Sequence, residues 1–81
     1  MYTKAQLGKD LKKLIVKREK VAVIGAWAHK TYYEYISEID IDLGEFLLQL
    51  GSMEMGPEFA RSYEELEDIA DRLIAGEDVQ L

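Results

Sequence analysis

His29 is the one histidine of the chain, and there is no cysteine, so a thiolate metal site is excluded and near-neutral proton transfer would have to start there. A nucleophile or base works only when a second group orients it, and the partners on offer are Tyr32 and Tyr33, about a helical turn away. A solitary helical histidine reads more simply as a boundary residue. Carboxylates come in pairs, Glu34 with Glu38, Asp40 with Asp42 and Glu64 with Asp68. A carboxylate dyad performs acid–base chemistry because burial separates its two pKa values, and nothing around these pairs supplies burial, so they read as solvated faces. Asp40-Ile41-Asp42-Leu43-Gly44 opens like a calcium loop, but its glycine comes one residue early and Gly51 stands where the bidentate glutamate belongs. The glycine after the apolar run Val21–Ile24 is neither a dinucleotide fingerprint nor a phosphate loop. The sequence is therefore expected to hold no catalytic residue, no metal and no cofactor, and to be no enzyme.

Surface chemistry remains, and it is sorted by position. Residues 1–20 carry seven Lys/Arg against two acids, whereas residues 21–81 carry three against fourteen, for a net charge of −6. Such a field steers encounters with charged partners without naming a reaction. Lys9, Lys12, Lys13 and Lys17 could neutralise phosphates, but the overall charge and the lack of interleaved aromatics disfavour nucleic acid. The alternative is intramolecular, a lysine helix screening the acidic ones beside it. Trp27, Tyr32, Tyr33 and Tyr35 lie within nine residues and cannot all face one core. Trp27, Tyr32 and Tyr35 are expected to anchor it with their rings, leaving Tyr33 exposed beside acids, the setting in which interface hot spots occur.

The elements that must position these residues are written in caps and stripes. At 81 residues the chain is expected to form one domain, 1–81. Thr3 with Gln6 spells a capping box, Tyr2 and Leu7 a hydrophobic staple, and Leu7, Leu11, Leu14 and Ile15 the buried stripe of a helix over 3–18. Gly8 is a flaw in it, costing about 1 kcal/mol relative to alanine. Ile24, Ala28, Tyr32, Tyr35 and Ile39 share one side of a helix over 20–38, although Val21–Gly25 alone fits helix, turn or short strand. Asp42 with Glu45 opens a helix over 42–54 with Leu43, Phe46, Leu47 and Leu50 inward. Ser62 with Glu65 opens one over 62–75, with Leu66, Ile69, Ala70, Leu73 and Ile74 inward and Gly76 at its close. Met53–Phe59 is the segment with loop chemistry, and Glu77–Leu81 is expected to fray. The fold class is all-α, an antiparallel four-helix bundle in which short connections make consecutive helices neighbours. No apolar run approaches the roughly 20 residues of a bilayer span, and no apolar signal segment follows the N-terminal lysines, so the protein is expected in the cytoplasm and off membranes.

Ala26-Trp27-Ala28-His29-Lys30, then Met53-Glu54-Met55-Gly56-Pro57-Glu58-Phe59, then Ser62-Tyr63-Glu64-Glu65-Leu66 together resemble the pattern of small helical immunity proteins of bacterial polymorphic toxin systems. The resemblance spans most of the chain after Val21 and leaves out the lysine helix. It implies a cytoplasmic protein that binds and blocks a toxin domain, commonly a nuclease, and it transfers no catalytic or binding residue. The residues themselves point to the same mechanism, because a nuclease must attract polyanions and so presents a basic surface that an acidic helical protein can meet quickly. Tyr33, Met55 and Phe59 are the expected anchors, seated among Glu34, Glu38, Glu54 and Glu58. The rival readings are a homodimer sealed by the same aromatics and methionines, and a nucleic-acid regulator working through the first helix.

Overall fold

Thr3 accepts a hydrogen bond from the Gln6 backbone N–H at 3.1 Å and starts α1, Lys4–Val16. In this computed structural model, which describes residues 2–56 and 60–79, three more helices follow: α2, Val21–Tyr35; α3, Ile41–Gly51; and α4, Tyr63–Ile74. A 3-10 turn, Ser52–Glu54, extends α3, and no strand occurs among the described residues. Val21–Gly25 is helix.

The boundaries show which local signals prevailed. The Gln6 side chain reaches forward to Asp10 at 3.0 Å instead of back to Thr3, so only half of that capping box forms. Asp40, not Asp42, caps α3, accepting from Leu43 N–H at 2.7 Å, which leaves Asp42 in the first turn where the helix dipole favours an acid. Ser62 caps α4 through Glu65 N–H at 3.1 Å. α2 ends at Tyr35, three residues short of expectation, and the turn after it is closed by the Glu38 and Ile39 N–H groups, both bonded to the Tyr35 carbonyl. Two helices close with the paired hydrogen bonds of a Schellman motif. At α4 the left-handed residue is Gly76, φ 83°, as its position suggests. At α1 it is Arg18, φ 56°, a conformation costing a non-glycine residue about 1–2 kcal/mol. Tyr63 holds that turn, donating its hydroxyl to the Glu19 carbonyl at 2.7 Å while the Arg18 guanidinium lies 5.0 Å from its ring centre.

The leucine stripes meet in one core. Leu7, Leu11, Ile24, Leu47, Leu50, Leu66 and Leu73 are fully enclosed, and burial at this level stabilises by about 1.5–3 kcal/mol per side chain. Trp27, Tyr32 and Tyr35 pack on the core from its edge, and Tyr35 stacks on Tyr2 at 4.3 Å. Helices pair antiparallel, α2 with α3 and α1 with α4. The first pair follows chain order, but α1 takes its main partner from the far end of the chain. Gly8 is the reason: a Cβ there would lie 2.7 Å from the Ala70 carbonyl oxygen and 2.9 Å from Leu73 Cβ. What reads as a helix flaw is the contact point that lets α1 and α4 close.

Met53, at the start of the segment with loop chemistry, is buried in the 3-10 turn. Of the segment expected to fray, Val79 packs on the core and Asp78 pairs with Lys4, while Gln80 and Leu81 lie outside the described residues. Among the described residues no helix is long and apolar enough to cross a membrane.

Candidate partner-binding surface

Tyr33 is 72% exposed, as the aromatic spacing implies, and its ring stacks on half-buried Tyr32 at 5.4 Å. Glu34 follows it on α2, and Glu38 lies beyond the helix end in the turn toward α3; both are exposed. These three predicted residues therefore gather at one end of the α2–α3 pair. Glu54 and Met55 do not join them. They sit at the opposite end of α3, level with the first turns of α2, where Met55 is 73% exposed. Glu34 lies five positions past His29, the α2 partner of Glu54, or about 8 Å along the axis. Glu58 and Phe59 lie outside the described residues. The described ones among the predicted residues thus form two patches on one layer, not a single cluster.

His29 bridges α2 to the 3-10 turn. Its Nδ1 is 2.9 Å from Glu54 Oε2, so the partner is this carboxylate and neither tyrosine proposed from helical spacing. The other side of the ring lies on the backbone of Gly51, where an added Cβ would fall 2.3 Å from Nε2. Gly25 fits under the same turn, with room for no Cβ between it and Glu54 N. A histidine with one nitrogen on a carboxylate and the other against helix backbone works as a clasp between elements. Among the described residues no three His, Asp or Glu side chains converge as metal ligands.

The basic helix is partly spent within the fold. Lys12 pairs with Asp71 on α4 at 2.5 Å and Lys4 with Asp78, and each lysine is held above its ordinary pKa first by that hydrogen bond. This is the screening role anticipated for the lysines, although Lys9, Lys13 and Lys17 still face solvent. Tyr2 donates to Asp10 at 2.9 Å, and its hydroxyl is driven well above the ordinary tyrosine range by burial first and by that hydrogen bond second.

α1 lies against α4 and Lys12 is engaged there, but Lys4 also lies near Asp40 and Asp42 of the α2–α3 layer, whose charges help to hold its pKa up. Residues 31–60 hold seven acids and no lysine or arginine. Within this layer Ile36, Ile41 and Leu48 are exposed, and Ile41 is 80% so. They border a shallow hollow of about 250 Å³ between the end of α2 and the start of α3. Sequence reasoning missed all three. The available signal was their position off the buried stripe: Leu48 follows Phe46 and Leu47 but points away from the leucines of its own helix. A second hollow of about 350 Å³ lies between α3 and the C-terminal segment, with a polar wall of Lys4, Asp42, Glu45, Gln49 and Asp78. Its lysine is already engaged by Asp78.

Compared with known proteins, the chain matches no family model, no curated protein and no solved structure.

Proposed function

We propose that this protein is a non-catalytic binding module of the immunity type, which neutralises a cognate basic, nuclease-like toxin domain in the cytoplasm by covering it with the α2–α3 layer. The observation carrying this reading is the exposed Tyr33 set in thirty residues that hold seven acids and no Lys/Arg. Acids spread over such a layer steer a basic partner, and an aromatic with exposed aliphatic neighbours gives the complex its lifetime.

Capture of a basic protein from the native cell, followed by association kinetics with the purified partner at two ionic strengths, tests it. Glu34→Lys with Glu38→Lys is expected to slow association and flatten its salt dependence, because rim charges act mainly on encounter. Tyr33→Ala is expected to accelerate dissociation, costing about 2 kcal/mol if it is a hot spot. Association indifferent to salt and to the reversals would defeat the steering mechanism. One rival is a homodimer, and self-association as the sole interaction would establish it instead.

A further inference from the structure

We infer that the hollow between the end of α2 and the start of α3 is the docking point for a basic amphipathic helix of the partner, an inference that rests on the protein-binding reading above. Its walls are Ile36, Ile39, Ile41 and Leu48, with Tyr32 at one end, and Asp40 and Glu45 contribute the acids. Its floor is open at Gly44, where a Cβ would meet only Ile39 Cδ1 at 3.7 Å. At about 250 Å³ the space falls below the roughly 300–1,000 Å³ typical of small-molecule pockets, so it suits inserted side chains better than a free ligand. The surroundings decide what carries those side chains. No residue lining the hollow is a cation, although Lys4 lies near enough to Asp40 to feel its charge, so a segment presenting Lys or Arg around an apolar stripe is complementary and an acidic one is repelled. A helix supplies such a stripe as apolar residues at i, i+3, i+4 and i+7.

The occupant is thus a partner helix and not a second copy of this face, because two copies meeting through it would bring their acids together across the seam. Docking here also explains why Tyr33 is uncovered. It follows Tyr32 on the last turns of α2, stacked against a residue of the hollow, where the flank of a seated helix would reach it.

The test uses the full chain and a synthetic peptide of about 18 residues, roughly five helical turns, with leucines on one face and lysines on the other. Controls carry glutamate for lysine, or serine for leucine. The leucine–lysine peptide is expected to bind, shifting backbone amides of the last turn of α2 and the first turns of α3, with neither control binding. Ile36→Gln with Leu48→Gln is expected to weaken binding at least about tenfold, a loss of about 1.4 kcal/mol. Val16→Gln, an equally polar change at an exposed residue of α1, should leave it unchanged. Gly44→Ala places a methyl in the hollow without crowding the fold and should also weaken binding, which separates lost docking from lost folding.

Several results would overturn the inference: no binding, amide shifts confined to α1 or α4, or equal binding by the serine control, which would mean charge alone. A dimeric wild type rendered monomeric by Leu48→Gln would assign the hollow to a second copy. If a native basic partner binds the Ile36→Gln, Leu48→Gln variant normally yet responds to reversal of Glu34 and Glu38, the docking point is wrong and the protein-binding reading stands. If the peptide docks as described but no basic protein partner exists, the reading fails and the site does not.

Discussion

Replacing Gly8 and Gly44 separately by alanine should move stability in opposite directions, although both glycines sit inside helices and helix propensity predicts a gain of up to about 1 kcal/mol at each. At Gly44 the new methyl meets Ile39 Cδ1 at 3.7 Å, an ordinary contact, so the gain should appear as about 0.5–1 kcal/mol. At Gly8 it would stand 2.7 Å from the Ala70 carbonyl oxygen and 2.9 Å from both Leu73 Cβ and Ile74 Cγ1. The first two atoms belong to the framework of α4, so α1 and α4 must separate by several tenths of an ångström along a seam that encloses Leu7, Leu11, Leu66 and Leu73. Overpacking of this kind costs about 1–3 kcal/mol. With three simultaneous close contacts the upper part of that range applies, and after subtracting the propensity gain the net loss is about 1–2 kcal/mol. For a chain of this size that lowers the melting temperature by roughly 4–16 °C, while Gly44→Ala raises it by a few degrees. Urea unfolding followed by far-ultraviolet circular dichroism and Trp27 fluorescence, with calorimetry, measures both. A Gly8→Ala protein as stable as the wild type would show that the α1–α4 crossing is looser than described. A destabilised Gly44→Ala would refute the claim that its floor position is open.

Alkaline pH should unfold the protein ahead of neutral conditions. The Tyr2 hydroxyl and the Lys4 and Lys12 ammoniums all have folded pKa values above their ordinary ones, so their contributions are complete below about pH 10 and decline above it. Urea midpoints at pH 8 and pH 11 check this, and Tyr2→Phe should reduce the difference between them. Tyr63→Phe keeps the ring against Arg18 but removes the donor to the Glu19 carbonyl, and a loss of about 1 kcal/mol is expected in the same assay. His29→Ala should cost about 0.5–1.5 kcal/mol by releasing the 3-10 turn from α2, read as faster amide exchange at residues 52–55, and should leave the α1–α4 pair unaffected.

Caps and stripes were legible in the sequence because they are short-range. Thr3 and Ser62 each have one backbone N–H to satisfy three residues on, and Leu11, Leu47, Leu50, Leu66 and Leu73 repeat at the spacing of a helical face, so the four helices and their inward residues follow from local geometry. Tyr33 stood out as exposed by the same spacing. Where two local solutions were nearly equal, the sequence pointed to the wrong one. Asp42 with Glu45 spells the cap of α3, but Asp40, two residues earlier, serves.

Pairings between distant segments belong to the tertiary structure. Nothing near Gly8 in sequence records that Ala70 will lie against it, and His29 shows no preference for Glu54 over the tyrosines until α2 and the 3-10 turn are brought together. The candidate surface divides along the same line. Charge sorting is a property of composition and shows that an acidic protein carries a basic first helix. Only the packing of that helix onto α4 brings Lys12 to Asp71 and Lys4 to Asp78, with Lys4 also near Asp40 and Asp42, and leaves Ile36, Ile41 and Leu48 exposed together. A side chain's periodicity reveals the face it occupies. Whether that face is covered depends on what other faces the chain brings to it, and among the described residues Ile41 and Leu48 of α3 stay exposed.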